Sequence, residues 1–302
     1  MSKAARRVET IELPYRPPYD WPAMLAFLKH RAITGIENVS GDTYTRTIDT
    51  GDSYGTVAVR PGKGDALEAT VRFPKLSARP VVAARLGRLL DLAADPPTIG
   101  AHLSADPTLA PLIKARPGLR VPGAWDGFEL AVRAILGQQI TVTAAIGIAG
   151  KLVAAHGERL AAKDAEGGLS HVFPTPVRLA VIDVETLPMP RARGRALASL
   201  AASVAAEPNI FAQRQSLEDA IKHLKALPGI GDWTAHYIAM REMREPDAFP
   251  PSDIGLQRAM ADADGNRPTA RELLARAERW RPWRAYAAQH LWTQDAVPRQ
   301  ES

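Results

Sequence analysis

The sequence contains no cysteine among its 302 residues. This absence excludes disulfide bonds, thiolate zinc sites, cysteine-ligated iron–sulfur clusters and a cysteine nucleophile. The seven histidines are scattered along the chain, without a pair at the spacing of a helical metal site. The sequence therefore indicates neither a redox centre nor a histidine-based metal centre.

Long apolar runs are also missing, because no stretch is long enough to cross a bilayer. Residues 1–15 include no apolar signal-peptide core, so we expect a cytoplasmic protein without a membrane partner. The net charge of +5 permits a polyanionic partner but does not prove one. Five arginines near the C-terminus suit phosphate, although a solvated helix face would give the same pattern; they are Arg271, Arg276, Arg279, Arg281 and Arg284.

The first hundred residues carry strand signals that the rest of the chain lacks. Three runs alternate apolar and polar residues, are rich in Val, Ile and Thr, and are separated by turns; they are 33–41, 44–52 and 55–73. Helical patterns flank them over 21–32 and 81–95, and a proline pair breaks the pattern near residue 96. We predict an α+β fold: a small N-terminal antiparallel-sheet domain with helices (1–100), then an all-helical core (101–302).

A glycine-rich turn, Leu-Pro-Gly-Ile-Gly, separates two helical patterns near residue 230. Pro228 cannot continue the first helix, whereas Gly229 and Gly231 allow backbone angles closed to other residues. The second helix begins near Asp232, and its first amides carry the positive end of the helix dipole. A phosphate of DNA fits this position better than a base edge. The alternative is a plain helical hairpin with a glycine turn.

A single acid, Asp253, follows the stiff segment Phe-Pro-Pro-Ser at the start of another helical pattern. A helix N-cap is the interpretation that the residues alone favour, because Asp is a preferred capping residue. A carboxylate engaged in chemistry is the other interpretation, and the residues alone leave both open.

The hairpin and this Asp together resemble the helix-hairpin-helix Gly/Pro-Asp superfamily of base-excision DNA glycosylases. Further segments resemble the AlkA-type DNA-3-methyladenine glycosylase II family in the same order along most of the chain. These segments are PPYDWPAMLAFL, ARPGLRVPGAWDGFELAVRAILGQQ, VFPTPVRLA and ERWRPWRAYAAQHLW. The resemblance implies a mixed α/β domain ahead of a helix-hairpin-helix core, with the hairpin at 216–243 and the catalytic Asp region at 249–260.

The resemblance also implies a role for individual residues. Asp253 would be catalytic, since a carboxylate can stabilise positive charge on the deoxyribose and direct water. Gln139 would be the DNA wedge that fills the gap left by the flipped base, where an AlkA-type enzyme places Leu. The base pocket would comprise Phe27, Gln138, Trp233, Tyr237 and Trp292. The phosphate-binding hairpin would comprise Gly229, Ile230, Gly231 and Thr234, with a structural Na⁺ or K⁺ on the carbonyls of Lys225, Leu227 and Gly229.

The activity implied is hydrolysis of the N-glycosidic bond of alkylated purines such as 3-methyladenine and 7-methylguanine. Trp233 stands where strand-cleaving members carry a Schiff-base Lys, so we expect a monofunctional enzyme that leaves an abasic site and needs no cofactor for chemistry. The expected partner is double-stranded DNA with alkylated bases, bound by a monomer. The alternatives are a non-catalytic helix-hairpin-helix binder of damaged DNA and a glycosylase for deaminated or oxidised bases.

Overall fold

A computed structural model describes residues 7–51, 53–73, 78–161, 167–187 and 189–295; the extreme ends of both predicted domains lie outside these ranges. Five strands form one sheet in the order β1-β5-β4-β3-β2, and every neighbouring pair is antiparallel. The strands are β1 (Arg7–Pro14), β2 (Glu37–Ser40), β3 (Thr43–Asp49), β4 (Tyr54–Pro61) and β5 (Ala66–Phe73). The predicted N-terminal antiparallel sheet is confirmed.

Strand β1 is absent from the sequence-based prediction. Its side chains do alternate, since Ile11 and Leu13 are buried while Glu12 between them is exposed. However, Val8 is 61% exposed, so the apolar signal covers only the second half of the strand. Pairing with β5, which places Ile11 opposite Ala69, supplies the hydrogen bonds that define this strand.

Thirteen α-helices are described. The first lies between strands β1 and β2, and the other twelve follow β5. They are α1 (Trp21–Arg31), α2 (Arg79–Leu89), α3 (Pro96–Leu103), α4 (Ala110–Ala115), α5 (Gly127–Leu136), α6 (Val142–His156), α7 (Pro176–Ala180), α8 (Arg191–Ala206), α9 (Leu217–Lys225), α10 (Asp232–Arg241), α11 (Ile254–Ala259), α12 (Ala270–Ala277) and α13 (Arg284–Asp295). The predicted α+β class with a helical second part is confirmed. Within the described residues, no helix is long and apolar enough to cross a membrane.

The proline pair near residue 96 is a helix start rather than a break between regular elements. Asp95 caps α3, because its side chain accepts a hydrogen bond from the Thr98 amide at 3.3 Å. Pro96 and Pro97 occupy the first turn, where an N–H has no partner within the helix and its loss costs little. Proline in this first turn therefore favours the start of α3, at the place where the sequence pattern predicts a break.

Two hydrophobic cores organise the molecule. One lies between the sheet and helices α1 and α2, and Trp125 from the loop before α5 packs into it. The other is built by α5, α8, α10 and α13, and it receives Ile33 and Ile36 from the segment after α1. Each core therefore takes side chains from the other half of the chain, which joins the two parts through apolar contact.

A buried ion network fixes helix α5 against the sheet. Arg46 on β3, only 2% exposed, donates to Glu129 of α5 at 2.7 Å. Arg133, one turn further along α5, donates to Glu129 at 2.6 Å and to Glu37 of β2 at 2.5 Å. Although burial raises the pKa of Glu129, Arg46 and Arg133 hold it below its ordinary value. The C-terminal end of α5 is thereby held in a defined position.

A second polar cluster joins the end of α2 to α13. The carboxylate of Asp91, 4% exposed, pairs with Arg244 and accepts the Tyr286 hydroxyl at 3.0 Å. It also accepts the Val121 amide at 3.0 Å, while Arg120 donates to the Asp91 carbonyl at 2.9 Å. Because each donor comes from a different segment, this cluster fixes the sheet domain relative to the last helix.

A cleft of about 790 Å³ lies beside this junction and includes Arg88, Phe211 and Glu242 in its lining. Carboxylate oxygen Oε2 of Glu242 is buried without a hydrogen-bond partner among the described residues. Burial, followed by the charge of Asp126, raises the pKa of Glu242 to about 7. The neutral acid is therefore the form that the fold favours.

Glu242→Gln tests the free-energy cost of ionising this buried carboxyl group. Because the pKa of Glu242 is higher in the folded protein than in the unfolded chain, the protonated group contributes stability fully below the unfolded pKa of 4.5. This contribution is lost as the pH rises through about 7. Thermal unfolding followed by circular dichroism should give the variant a Tm about 2–4 °C above wild type at pH 8. The difference should close towards pH 4.5. Exposed Glu12, changed to Gln, is the control, and a difference independent of pH would contradict the assignment.

Candidate active site

The carboxylate of Asp253 accepts three hydrogen bonds from three helices. Its Oδ1 accepts the Leu256 amide at 2.9 Å, which makes Asp253 the N-cap of α11. The same oxygen accepts the indole N–H of Trp292 on α13 at 2.8 Å, and Oδ2 accepts that of Trp233 on α10 at 2.7 Å. A cap needs only the first of these bonds. The two indole bonds fix the orientation of the carboxylate further, between α10 and α13.

Gly255 makes this arrangement sterically possible. A Cβ at this position would lie 3.0 Å from Oδ1 of Asp253 and 3.3 Å from Cδ1 of Trp292. Both distances are shorter than ordinary contacts, so a larger residue would displace the carboxylate or the indole. In the sequence, the position of Gly255 two residues after a capping Asp is the signal for this role.

The four predicted pocket aromatics converge beside Asp253. Trp233 and Tyr237 stack with ring centroids 4.9 Å apart and planes 12° apart, as their spacing of one helical turn predicts. Phe27 of α1 and Trp292 of α13 complete the cluster around Arg241. All four rings are half-buried. The side chains of this cluster therefore come from both parts of the chain.

Arg241, which the sequence analysis missed, occupies the interior of this aromatic cluster. Its guanidinium carbon lies 4.7 Å from the Phe27 centroid, 4.8 Å from that of Tyr237 and 5.6 Å from that of Trp292. Burial lowers the pKa of Arg241 to about 10, so it remains charged at neutral pH. In the sequence, an Arg in the last turn of a helix is typical of a dipole-compensating surface residue. Arg241 lies four residues after Tyr237, and this spacing indicates that both side chains share one face of α10.

A second arginine borders the same cluster. The guanidinium carbon of Arg31 lies 4.0 Å from the Phe27 centroid. Burial raises the pKa of the Tyr237 hydroxyl, but the positive charges of Arg241, Arg31 and Arg133 outweigh it and leave that pKa below its ordinary value. The cluster is therefore electropositive as well as aromatic.

Gln138 lies between the turn after α5 and the hairpin. Its side-chain amide donates to the Gly229 carbonyl at 2.9 Å and to the Thr234 hydroxyl at 3.4 Å. Arg193 of α8 donates to the Gln138 backbone carbonyl at 2.6 Å. Gln138, predicted as a pocket residue, thus ties α5 to the hairpin in this structure.

Gln139 forms the tip of that turn. It is exposed and has a φ of 60°, in the left-handed region that residues with a side chain rarely adopt. Such backbone conformations cost free energy and cluster at functional positions. Gln139 follows directly after Gln138, which is held by hydrogen bonds. The backbone that carries the exposed Gln139 side chain is therefore fixed.

The two hairpin glycines have different physical roles. Gly229 has a φ of 79°, and a Cβ there would lie 2.8 Å from the Cβ of Ala196. Gly231 has an ordinary φ of −85°, and a Cβ there would meet no atom within 4 Å. The backbone freedom that the sequence assigns to both glycines is therefore used at Gly229 and not at Gly231. At Gly231 the missing side chain instead leaves open space over the start of α10.

The N-terminus of α10 presents backbone amides rather than side chains. Gly231 is its N-cap, and no side chain caps the helix. Ile230 and Thr234 are 6% and 3% exposed, so their side chains pack inward. Asp232 in the first turn pairs with Lys225 at 2.9 Å. The surface available to an anion is therefore the backbone around Gly231.

Alanine at each hairpin glycine should separate the two roles. Gly229→Ala should lower the free energy of unfolding by about 1–3 kcal/mol, because the left-handed angle and the Ala196 contact both oppose a Cβ. Gly231→Ala is the matched control and should unfold at the wild-type denaturant concentration. Urea unfolding measures both, and equal losses would contradict this assignment.

Two family models match consecutive parts of the chain. The AlkA N-terminal domain matches residues 10–126, which include the sheet domain. The model of HhH-GPD superfamily base excision DNA repair proteins matches residues 132–285, which include the hairpin and Asp253. The chain belongs to the HhH-GPD superfamily of base excision DNA repair proteins. Within this superfamily, its second part is a helix-hairpin-helix core.

Relatives agree with this family. A probable bifunctional transcriptional activator/DNA repair enzyme AlkA of Mycobacterium tuberculosis is 40% identical over 94% of this chain. The chain spans only 56% of that relative's length. DNA-3-methyladenine glycosylase 2 of Escherichia coli is 37% identical over 93% of this chain and 95% of its own length. A 3-methyladenine DNA-glycosylase from Archaeoglobus fulgidus shares the fold, with a TM-score of 0.82, 21% identity, and coverage of 94% of this chain and 98% of its own.

Proposed function

We propose that the protein is a monofunctional DNA glycosylase that flips alkylated purines out of double-stranded DNA and hydrolyses their N-glycosidic bond. The observation that carries this proposal is the Asp253 carboxylate, held by the indoles of Trp233 and Trp292 beside a cluster of aromatic rings. The 37% identity to an Escherichia coli protein named DNA-3-methyladenine glycosylase 2 supports the same activity. The product is an abasic site.

The hairpin anchors the DNA in this proposal. A phosphate binds the free amides at the start of α10, over the open space beside Gly231, where the helix dipole favours an anion. Gln139, presented at the tip of the turn after α5, enters the duplex and fills the place of the flipped base. The polar wedge can hydrogen-bond the unpaired partner base.

The flipped base lies against the aromatic cluster of Phe27, Trp233, Tyr237 and Trp292. As the C1′–N bond breaks, positive charge develops on the deoxyribose, and the fixed carboxylate of Asp253 stabilises it. Asp253 also orients the attacking water and accepts its proton. The indole N–H of Trp233 is donated to Asp253. Since Trp233 offers no amine for a Schiff base, the reaction ends at base release without strand cleavage.

The backbone carbonyls of Lys225, Leu227 and Gly229 would hold a Na⁺ or K⁺ that supports the hairpin. The Leu227 oxygen accepts the Ile230 amide at 3.2 Å, and the Gly229 oxygen accepts the Gln138 amide at 2.9 Å. Each of these two oxygens keeps a second lone pair, so the donor set fits a cation that prefers carbonyl oxygen. The ion has a structural role and takes no part in the chemistry. The protein would act as a cytoplasmic monomer.

A non-catalytic binder of damaged DNA is the second candidate function. The N-cap bond from Asp253 to Leu256 favours it, because this bond explains an Asp at the start of α11 without any chemistry. The two indole bonds to the same carboxylate favour the enzyme, since a cap does not need them. A glycosylase for deaminated or oxidised bases would use the same carboxylate and differ in its pocket.

Asp253→Asn tests the catalytic carboxylate. On methylated duplex DNA the variant should release base at least about a hundredfold more slowly than wild type, because the negative charge is lost while the size is kept. DNA affinity should stay within about threefold. Released methylpurine is measured by chromatography, and mild alkali should be required to break the strand at the abasic sites.

Asp264→Asn is the matched control, because Asp264 is an exposed acid in the loop after α11. It should leave base release unchanged. Undiminished release by Asp253→Asn would refute the catalytic assignment. Binding without release by wild type would identify the second candidate function, with Asp253 acting as a helix cap.

Gly231→Ala tests the phosphate site separately from stability. The added Cβ enters the space assigned to the phosphate, so duplex affinity should fall about tenfold. The unfolding midpoint of the variant should remain that of wild type. Wild-type affinity should also fall at least about tenfold between 50 and 200 mM salt, since bound phosphates release counterions. Fluorescence anisotropy measures both effects. Salt-independent binding, or full affinity of the variant, would contradict the hairpin contact.

A further inference from the structure

We propose that Arg241 is a specificity-determining residue whose buried charge promotes excision of neutral purines relative to cationic ones. The inference rests on the proposed glycosylase function and goes beyond the aromatic pocket. The aromatic rings suit a cationic base, whereas a fixed cation among them acts in the opposite sense. The balance of these two effects sets the range of bases released.

The Arg241 guanidinium is held in a fixed position. It donates to the Pro122 carbonyl at 2.6 Å and to Gln289 at 3.4 Å. Three pocket rings surround it within 5.6 Å, and the residue is 2% exposed. Its Nε is buried without a partner in the described part of the chain. The charge is therefore placed in the pocket with few hydrogen bonds to offset its loss of water.

No carboxylate pairs with Arg241 among the described residues. The charged or titratable groups that act on it most strongly are Tyr237, Arg31 and Arg244, and both arginines repel it. Burying an unpaired cation is costly, and contact with aromatic rings offsets only about 0.5–2 kcal/mol for each ring. An apolar side chain of similar length would fill the space more cheaply. Packing alone therefore does not account for a charge here.

The chemistry of the leaving base does account for it. When a neutral purine leaves, the electron pair of the C1′–N9 bond goes to the base, which becomes negative until it takes a proton from solvent. Water adds to C1′, and Asp253 accepts its proton. A methylated cationic purine takes the same electron pair and leaves neutral. The Arg241 charge thus stabilises the first leaving group and repels the second substrate from the start.

Arg241→Met tests this inference on two duplexes, one with hypoxanthine and one with 7-methylguanine. The value of kcat/KM is measured on each duplex for wild type and the variant at equal pH and salt, because kcat/KM includes the repulsion of the cationic base that a rate within the bound complex leaves out. The kcat/KM for hypoxanthine should fall at least about tenfold, whereas that for 7-methylguanine should stay the same or rise. The KM for the cationic base should not rise. Arg241→Lys keeps the charge and should keep the wild-type ratio of the two kcat/KM values.

Arg60→Met is the matched control, because Arg60 lies on β4 with a 59% exposed side chain. Its ratio should equal that of wild type. Arg241→Gln, also neutral, carries the same test if Arg241→Met unfolds at a lower temperature than wild type. An equal loss on both bases in the neutral variants would make Arg241 a structural residue and overturn the inference alone. Release of neither base by wild type would overturn the proposed function, and the inference with it.

Discussion

The carboxylate of Asp253 is the point at which helices α10, α11 and α13 meet through hydrogen bonds. Each donor is a fixed N–H group, so the carboxylate has one orientation without any rearrangement. The same bonds that cap α11 and seat the two indoles also fix the direction of the negative charge. Capping and the proposed chemistry are therefore compatible consequences of one arrangement.

The aromatic cluster beside Asp253 depends on the position of the sheet domain, since Phe27 joins the cluster from α1. The network of Arg46, Glu129, Arg133 and Glu37 holds α5 to the sheet, and the Asp91 cluster holds α2 to α13. Buried networks of this kind add little net stability but fix relative positions. Both parts of the chain are therefore needed to build the aromatic cluster.

Three features near α5 and α10 are ones that a fold selected only for stability would avoid. Gln139 has a left-handed backbone. Among the described residues, Arg241 has no carboxylate partner, and Oε2 of Glu242, which lines the separate 790 Å³ cleft, has no hydrogen-bond partner. The apolar burial in the two large cores offsets the free-energy cost of these three features. The position of the features near α5 and α10 agrees with a site placed where the two parts of the chain meet.

Local patterns determined most of the fold, and the family resemblance named the site candidates. Periodicity located the helices, alternation located four of five strands, and the Pro-Gly turn located the hairpin. Strand β1 and the role of Gly231 were decided by tertiary pairing and by open space, which leave no periodic signal. Arg241 was missed for the same reason: a sequence shows that a charge exists, but only packing shows that it is buried without an acid. Burial and distance belong to the assembled molecule, and they decide what a residue can do.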